Sequence, residues 1–352
     1  MNKDSYYIIG IMSGTSLDGI DICYANFTWN EKWNYKILNT ITYNYTNQWK
    51  KLLLNSIRLD KSDLESLDFE YTDLLAKYIQ RFIIQFNIDK IDAISSHGHT
   101  VLHQPNDGVT YQIGNLPELA KHLNLKVVCD FRIQDVKLGG QGAPLVPVGD
   151  KLLFSDFNYC LNLGGFSNIS YKSNSEISAF DICPVNTVLN HYSNILGYDY
   201  DKDGLIAREG MIESTLLDEL NSIEYYSNFN PKSLGIEWVI NIVYNIIDKY
   251  SIPVSDILRT YSEHIAIQTQ NAIHDKDSTV FITGGGVRNK FLIELIKDRL
   301  ENHVKIPEDI MIDFKEALIF GFLGVLRLRN EINCLSSVTG ACKNHSSGKI
   351  YQ

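Results

Sequence analysis

Residues 6–27 read YYIIGIMSGTSLDGIDICYANF and carry the main fold signal of the chain. An apolar run over 6–12 leads into a small polar turn at 13–16, and a second apolar run starts at Gly19. Apolar runs joined by Gly, Ser and Thr are typical of a β-hairpin. A related pattern returns at 159–171, where YCLNL is followed by GGFSN and ISY. Two strand–turn–strand units half a chain apart predict a duplicated domain with a site between the two halves.

Helices and strands alternate along the rest of the chain. Apolar residues at helical spacing, or short apolar runs of the strand type, mark each element. Helices are predicted at 70–86, 116–123, 238–250, 257–273, 291–300 and 315–328, and strands at 91–95, 126–129 and 279–283. This alternation predicts an α/β architecture. The segment 139–147, GGQGAPLVP, suits neither a helix nor a central strand. We therefore predict a first domain over 1–140 and a second over 141–352, with the last helix allowed to pack back on the first.

The composition argues for a folded, acidic protein. The chain has 352 residues, of which 44% are hydrophobic and 21% charged, and domains average about 150 residues. It carries 32 Lys and Arg against 42 Asp and Glu, a net charge of −10. Proteins that bind nucleic acid or anionic lipid through charge usually carry the opposite sign, so we predict neither partner.

The sequence predicts neither a membrane span nor a disulfide-bonded secreted protein. The longest strongly apolar run, 317–326, contains two glycines and is shorter than the ~20 residues that a bilayer needs. No secretory signal is visible at the N-terminus. The six cysteines contain no C-x-x-C pair, which favours a reducing compartment and argues against a zinc site. We therefore predict a cytoplasmic location.

Three glycine-rich turns follow predicted strands, at 13–16, 164–165 and 284–286. Glycine lets the backbone approach a ligand closely, and several N–H groups presented together bind anions. For any one of them alone a simple tight turn is the favoured explanation, but three in one chain predict a polyphosphate site built from both domains. Neither G-x-x-x-x-G-K-[ST] nor G-x-G-x-x-G is present, so the site would be neither a P-loop nor a Rossmann site.

Acidic and basic side chains at the ends of predicted elements are candidates for chemistry. Asp18, Asp21 and Asp181 follow strands or turns, where a carboxylate can hold a metal ion, act as a general base or cap a turn. Arg132, with Asp135 close behind it, suits a carboxylate or phosphate ligand, although a structural ion pair between the domains explains it equally well.

Three other residue types have plain structural explanations. His97, His99 and His103 form an H-x-H-x3-H cluster. Because Gly98 and Thr100 predict a loop there, hydrogen bonds to substrate or to loop backbone are favoured over a metal site. Stabilisation by the helix dipole explains Glu316, and Cys183 is predicted to be a small buried residue.

These motifs resemble those of the anhydro-N-acetylmuramic acid kinase family. GIMSGTSLDGID (10–21) is similar to the signature that opens these enzymes. The likeness continues in order through SSHGHTVLHQP (95–105), QIGNLPELA (112–120), CDFRIQDVKLGGQGAPLVP (129–147), LNLGGFSNIS (161–170), FDICPVN (180–186), NPKSLGIEW (230–238), FITGGGVRN (281–289), KEALIFGFL (315–323) and SSVTGA (336–341).

The resemblance implies an actin-like ATPase and sugar kinase fold. This is an α/β fold of two actin-like, ribonuclease H-like domains with a nucleotide cleft between them. It also implies conversion of 1,6-anhydro-N-acetylmuramic acid to N-acetylmuramic acid 6-phosphate in peptidoglycan recycling, a branch of amino sugar catabolism. Water would open the anhydro ring and O6 would be phosphorylated from ATP with Mg²⁺. A homodimer is expected, because family members often form one.

The resemblance also implies roles for particular residues. Asp181 would be the base that activates water, and Thr100, Arg132 and Glu316 would hold the sugar. The metal ligands stay open. ATP would be bound by the first turn, by a second phosphate turn and by a turn behind the adenosine, that is by Gly14, Thr15, Ser16, Leu17, Asp18, Gly19, Ile20, Asp21, Gly164, Gly165, Gly284, Gly285 and Gly286.

The chain departs from the family pattern near the predicted base. After Asp181, Ile182 replaces a Thr of the family pattern, and Cys183 and Val185 replace two glycines. Elsewhere Asn190 replaces an Asp, His99 a Gln, Leu234 a Thr and Ile236 an Arg. Because Asp181 and the first turn are retained, we expect an active phosphotransferase. A kinase of a different sugar and a non-catalytic ATP- or sugar-binding sensor remain as alternatives.

Overall fold

The computed structural model describes residues 3–14, 17–173, 176–227, 232–275, 277–300 and 303–352. Its strands in chain order are β1 (Ser5–Ser13), β2 (Gly19–Asn30), β3 (Lys32–Asn44), β4 (Ala93–Gln104), β5 (Val109–Ile113), β6 (Val127–Cys129), β7 (Tyr159–Leu163), β8 (Phe166–Ser173), β9 (Glu176–Pro184), β10 (Thr279–Thr283), β11 (His303–Lys305) and β12 (Lys349–Tyr351).

The helices lie mostly between the strands. They are α1 (Asn47–Asn55), α2 (Lys61–Gln85), α3 (Glu118–Leu123), α4 (Ile133–Lys137), α5 (Pro147–Leu153), α6 (Asn186–Ile195), α7 (Leu205–Glu209), α8 (Ser214–Asn221), α9 (Ile236–Trp238), α10 (Asn245–Ile247), α11 (Val254–Asn271), α12 (Lys290–Leu300), α13 (Asp309–Leu328) and α14 (Ser336–Thr339). A π-helical segment, Val239–Tyr244, joins α9 to α10. Within the described residues, no helix combines the length and the apolar character that a membrane span requires.

The chain divides into two compact units. Unit 1 contains Met1–Leu153 and Phe314–Gln352, and unit 2 contains Phe154–Asp313. The sequence placed the division after residue 140, whereas here α5 counts with unit 1. The segment from Phe314 onward, with most of α13, also counts with unit 1.

Unit 1 is built on a seven-stranded mixed sheet. Its strand order is β12-β6-β4-β1-β2-β3, with β5 paired to β4 off this path. The predicted hairpin is present, since β1 and β2 pair antiparallel from Ser5↔Thr28 to Met12↔Asp21. β3 extends the hairpin as a third antiparallel strand, and β4 and β6 continue the sheet in parallel with β1.

Unit 2 repeats this plan with five strands in the order β11-β10-β7-β8-β9. β7, β8 and β9 form an antiparallel meander, and β10 and β11 continue it in parallel with β7. Both units therefore contain three antiparallel strands followed by parallel strands reached through helices. This confirms the predicted α/β class with two ribonuclease H-like units.

Amphipathic helices pack on each sheet and close its core. In unit 1, Asp60 begins α2 because its carboxylate accepts a hydrogen bond from the Asp63 backbone N–H at 2.9 Å. Buried residues then recur three or four positions apart along the helix, and their burial is the main source of its stability. They are Leu64, Leu67, Tyr71, Leu75, Ile79 and Phe82, and they pack with Ile9, Ile11, Ile20 and Ile22 of the sheet.

The structure differs from the sequence predictions at several elements. The segment after residue 95, predicted as a loop, continues β4 to Gln104. β3 was not predicted, because its burial alternates weakly and its sequence, KWNYKILNTITYN, is rich in Asn, Thr and Lys. The helix predicted at 238–250 is instead a short broken helix with a π-helical centre.

Parallel strands bring several turns to one edge of each sheet. In unit 1 the carboxyl ends of β1, β4 and β6 lie side by side, and in unit 2 those of β7 and β10 do so. Ligands of open α/β sheets bind outside this edge. The candidate residues of each unit therefore meet at the carboxyl edge of its own sheet.

Candidate active-site residues

The first predicted phosphate turn leaves β1 at Gly14. Leu17 closes the turn with a 3.4 Å backbone hydrogen bond to the Gly14 carbonyl and a left-handed φ of 60°. Asp18 follows and is exposed to solvent. Thr15 and Ser16, which the sequence also assigned to ATP, lie outside the described residues.

The remaining residues of that motif belong to β2. Gly19, Ile20 and Asp21 pair with β3, and Ile20 is fully buried in the core of unit 1. Ile20 is thus a core residue, and its side chain is not available to a ligand. The Asp21 carboxylate is half-buried and accepts a 2.6 Å hydrogen bond from the Thr42 hydroxyl.

A buried chain of hydrogen bonds anchors the start of the first turn. The hydroxyl of Ser13 lies 2.9 Å from Nδ1 of His99 and 2.7 Å from the Tyr45 hydroxyl. The Tyr45 hydroxyl in turn lies 2.6 Å from that of Tyr71. Burial lowers the pKa of His99 to about 4, so its imidazole is neutral at physiological pH. Sequence analysis identified His99 as a candidate residue but did not predict this network. The network depends on how β1, β4 and α2 pack together, which brings together residues that are far apart in sequence.

Arg132 is held at the carboxyl edge of unit 1 by two hydrogen bonds. Its Nε donates to Nε2 of His97 at 2.8 Å, and its Nη1 donates to the Gly142 carbonyl at 2.7 Å. Burial lowers the pKa of the guanidinium, and the nearby charge of Glu316 counteracts that shift. Asp135 accepts hydrogen bonds from the Gly142 backbone N–H, the Cys334 thiol and the Thr339 hydroxyl, all within unit 1.

Glu316 and Thr100 complete the predicted sugar residues of unit 1. The Glu316 side chain reaches solvent, yet loss of hydration among the surrounding protein atoms raises its pKa. The charge of Arg132 opposes this shift and that of Asp21 adds to it. Thr100 is half-buried on β4, where it pairs with Gln112 of β5. The structure therefore brings Arg132, Glu316 and Asp21 within electrostatic reach of one another.

Two glycine turns of unit 2 lie against each other. The Gly164 and Gly165 carbonyls accept hydrogen bonds from the first backbone N–H groups of α6, and the Gly165 carbonyl also accepts one from the Thr187 hydroxyl at 2.9 Å. Gly284 has a φ of +89°, and a Cβ there would lie 2.6 Å from the Leu163 carbonyl oxygen. Only glycine fits so close a contact with a left-handed backbone.

Asp181 lies on β9 of unit 2 with one carboxylate oxygen engaged. Oδ2 accepts a 2.9 Å hydrogen bond from the Leu234 backbone N–H. Within the described part of the chain, Oδ1 accepts none. Burial raises the pKa of the carboxyl group, and the bond from Leu234 counteracts part of that shift. The backbone is fixed as well, because the Asp181 carbonyl accepts a 2.7 Å hydrogen bond from the Tyr225 hydroxyl.

The replaced residues that follow Asp181 face the core of unit 2. Ile182, Cys183 and Val185 are all buried there. The Cys183 thiol lies 3.3 Å from the Ser167 hydroxyl, and burial raises its pKa to about 12. Cys183 is therefore a protonated core residue, as predicted, and these three side chains do not line a ligand site of their own unit.

In the described residues, one cluster of three side chains has the types and spacing that could ligate a metal ion. His97, His99 and His103 are not part of it. Asp135, Cys334 and His345 lie together in unit 1, all buried. The Cys334 Sγ donates to Asp135 Oδ1 at 3.0 Å. The Thr339 hydroxyl donates to the same oxygen at 2.8 Å. These bonds tie α4 to the C-terminal segment, and the site is explained by its hydrogen bonding.

Comparison with known proteins matches these motifs to one family. The family model described as anhydro-N-acetylmuramic acid kinase matches residues 6–352. The anhydro-N-acetylmuramic acid kinase of Clostridioides difficile (strain 630) is 34% identical over 376 residues, covering 98% of both chains. That of Mannheimia succiniciproducens is 33% identical with the same coverage. Among solved structures, component A of the Acidaminococcus fermentans (R)-2-hydroxyglutaryl-CoA dehydratase has a TM-score of 0.45 and 12% identity, covering 89% of this chain and 95% of that chain. From the family model and the two relatives, the chain belongs to the anhydro-N-acetylmuramic acid kinase family, a family of ATP-dependent sugar kinases.

Proposed function

We propose that this protein opens 1,6-anhydro-N-acetylmuramic acid with water and phosphorylates O6 from ATP. The products are N-acetylmuramic acid 6-phosphate and ADP, and the step belongs to peptidoglycan recycling in the cytoplasm. The observation that carries the proposal is the family match over residues 6–352. The placement of Asp181 supports it, because the carboxylate has one engaged oxygen and one that accepts no hydrogen bond from described residues.

Asp181 is proposed as the general base. Oδ1 takes a proton from the water that attacks C1, while the bond from the Leu234 N–H holds the carboxylate in orientation. The raised pKa makes this carboxylate a stronger base than an ordinary Asp. As the C1–O6 bond breaks, its electron pair stays on O6, which attacks the γ-phosphate of ATP. The water oxygen ends on C1 and the phosphoryl group on O6.

The glycine turns are proposed to bind ATP. Gly14 with its following turn would hold phosphates in unit 1, and in unit 2 Gly164 and Gly165 would hold phosphates while Gly284–Gly286 would contact adenosine. The close contact of Gly284 with the Leu163 carbonyl holds the proposed adenosine turn against the proposed phosphate turn. A nucleotide position between the two units stays a prediction.

Mg²⁺ fits the acidic groups of unit 1. Asp18 and Asp21 are oxygen ligands of the type that Mg²⁺ prefers, and the charge of Asp21 raises the pKa of Glu316. Negative charge is thus concentrated beside the first turn, where a divalent cation would offset it. Bound there, Mg²⁺ would neutralise charge on the transferring phosphoryl group.

Arg132, Thr100 and Glu316 are proposed to hold the sugar. The guanidinium of Arg132 is positioned by two hydrogen bonds and offers further N–H groups to a ligand. The burial of Ile182, Cys183 and Val185 gives no support to a change of sugar through these side chains. A homodimer stays a prediction, which analytical ultracentrifugation would test.

The decisive experiment measures ADP release with ATP, Mg²⁺ and 1,6-anhydro-N-acetylmuramic acid, with the product identified by mass spectrometry. We expect a product heavier by one phosphoryl group and one water, and no turnover once EDTA removes Mg²⁺. N-acetylmuramic acid, which lacks the 1,6-anhydro bridge, is the matched control and should be a poor substrate. Turnover only with another sugar would indicate the alternative kinase, and ATP binding without turnover on any sugar of a panel would indicate a sensor.

A further inference from the structure

We propose that His97 is a positioning residue that orients Arg132 toward the sugar. Its Nε2 accepts the hydrogen bond from Nε of Arg132 at 2.8 Å. The inference rests on the proposed function, because it assigns a partner to a sugar-binding residue. His97 itself is buried and is not proposed to touch substrate.

Hydrogen bonds on both sides of the imidazole fix its tautomer. Nδ1 lies 2.9 Å from the Gly98 carbonyl oxygen, which can only accept, so Nδ1 carries the proton. Nε2 is then an acceptor, and it faces a guanidinium N–H, which can only donate. The opposite tautomer would break both bonds at once. Burial and the charge of Arg132 lower the pKa of His97 far below its usual range, which keeps the ring neutral.

The surroundings hold the imidazole in place. The Phe320 ring packs against it with a centroid distance of 4.7 Å. The Asn115 side-chain amide donates to the His97 carbonyl at 3.2 Å. Gly98 has a φ of +76°, and a Cβ there would lie 2.5 Å from the Ile113 carbonyl oxygen. Only glycine fits this left-handed backbone, whose carbonyl accepts the hydrogen bond from Nδ1.

The arrangement leaves one edge of the Arg132 guanidinium unused. Nε is bound to His97, and one N–H of Nη1 is bound to the Gly142 carbonyl. In the described portion of unit 1, Nη2 makes no hydrogen bond. Because the guanidinium is planar, fixing Nε and Nη1 also fixes the direction in which Nη2 points. A rotation about the side chain would break the bond to His97, so His97 keeps this edge available for a ligand.

A packing role for His97 would require only its volume, and a positioning role requires the acceptor at Nε2. His97→Asn keeps a donor for the Gly98 carbonyl and lacks the distal acceptor. His97→Gln places an amide oxygen near the position of Nε2 and restores it. His103→Asn is the matched control, because His103 lies near Arg132 but bonds to the Thr110 hydroxyl instead.

The test measures sugar and ATP dissociation constants by calorimetry, and KM and kcat by ADP release. Loss of a charge-assisted hydrogen bond costs about 10-fold or more in affinity. We expect His97→Asn to raise the sugar dissociation constant and KM about 10-fold, with kcat and ATP affinity within about 2-fold of wild type. His97→Gln should recover most of the loss, and His103→Asn should match wild type. Equal losses in the two His97 variants, or an equal fall in ATP affinity, would overturn the proposal.

A double-mutant cycle tests whether His97 acts through Arg132. Arg132→Lys removes the Nε–H donor, so adding His97→Asn should weaken sugar binding by no more than about a further 2-fold. Additive losses would contradict the proposal.

Ring ¹⁵N NMR of the wild-type protein requires no variant and remains decisive if His97→Asn does not fold. It should show a protonated Nδ1 and an unprotonated Nε2 at neutral pH, and a protonated Nε2 would overturn the proposal. The sugar dissociation constants and KM are measured with whichever sugar of the panel the wild-type protein binds. An error in the proposed substrate would therefore appear in the wild type, and an error about His97 only in the variants or the NMR spectrum.

Discussion

Units 1 and 2 share one strand plan but use the carboxyl edges of their sheets differently. In unit 1 the edge carries polar side chains held by buried hydrogen bonds, as in the pairs Ser13–His99 and Arg132–His97. In unit 2 the same edge is formed mainly by backbone, because the turns at Gly164 and Gly284 contact neighbouring main chain closely. Asp181 is the one predicted catalytic side chain of unit 2. Under the proposed site assignments, unit 1 would hold the sugar through side chains and unit 2 would contact ATP through main chain.

The largest expected effect is at Asp181. Asp181→Asn keeps the size of the side chain and the acceptor for the Leu234 N–H, but removes the base. General-base catalysis contributes about 10²–10⁴-fold, so we expect kcat to fall by about that factor while ATP affinity stays unchanged. Single-turnover ADP release and calorimetry measure the two quantities. Near-normal turnover would remove Asp181 from the mechanism and leave unit 2 with backbone recognition alone.

Gly284→Ala sharpens the contrast through the backbone of unit 2. The new Cβ would lie 2.6 Å from the Leu163 carbonyl oxygen at a φ of +89°. We expect a loss of about 2–4 kcal/mol in the free energy of unfolding from strain and displaced backbone, together with weaker ATP binding. Gly139→Ala is the matched control, since its φ is +81° but no heavy atom lies within 4 Å of its Cβ. Equal losses in both variants would show that backbone conformation, and not close contact, makes Gly284 necessary.

Ser13→Ala tests the side-chain network of unit 1. The substitution removes the partner of His99 Nδ1 and one of the two partners of the Tyr45 hydroxyl, which keeps the Tyr71 hydroxyl. Buried groups left without a partner cost about 1–3 kcal/mol, and we expect a loss of that size in urea unfolding. Ser262→Ala provides a comparison in unit 2, where a buried hydroxyl on α11 donates to the Leu258 carbonyl and adjoins no glycine turn in sequence. ATP affinity should fall only for Ser13→Ala, because Ser13 precedes the first turn; equal ATP affinity in the two variants would contradict that placement.

The smallest expected effect is on the acidic limb of the pH profile, that is, the fall of kcat/KM as pH is lowered. We expect this limb to lie at a higher pH than an ordinary Asp would give. Burial raises the pKa of Asp181, and the base works only when it is deprotonated. Activity should therefore fall, as pH is lowered, at a higher pH than an ordinary Asp pKa of about 3.9 would give. His99 titrates near pH 4, so no limb near pH 6.5 should come from it. Disappearance of the acidic limb in the residual activity of Asp181→Asn would assign it, and persistence would assign it elsewhere.

Elements with strong periodicity could be predicted from sequence. β1 and β10 match closely, and α11 was predicted within three residues of its ends, because buried positions recur regularly there. β3 has no comparable pattern. The continuation of β4 past Ser95 was missed because Gly98 and Thr100 resemble a loop, whereas β5 pairs with this irregular stretch and keeps it in the sheet.

Residue types and spacing determined the α/β class, the repeated hairpin and the glycine turns, and the resemblance of the motifs to a known family implied Asp181 as the base. These features are local, because spacing and turn chemistry act over a few neighbouring residues. The tertiary structure decided that Ile20 is a core residue, that His99 anchors Ser13 and that His97 holds Arg132. Such contacts join residues from different strands and helices, and their formation depends on sheet register and helix packing across the whole of a unit.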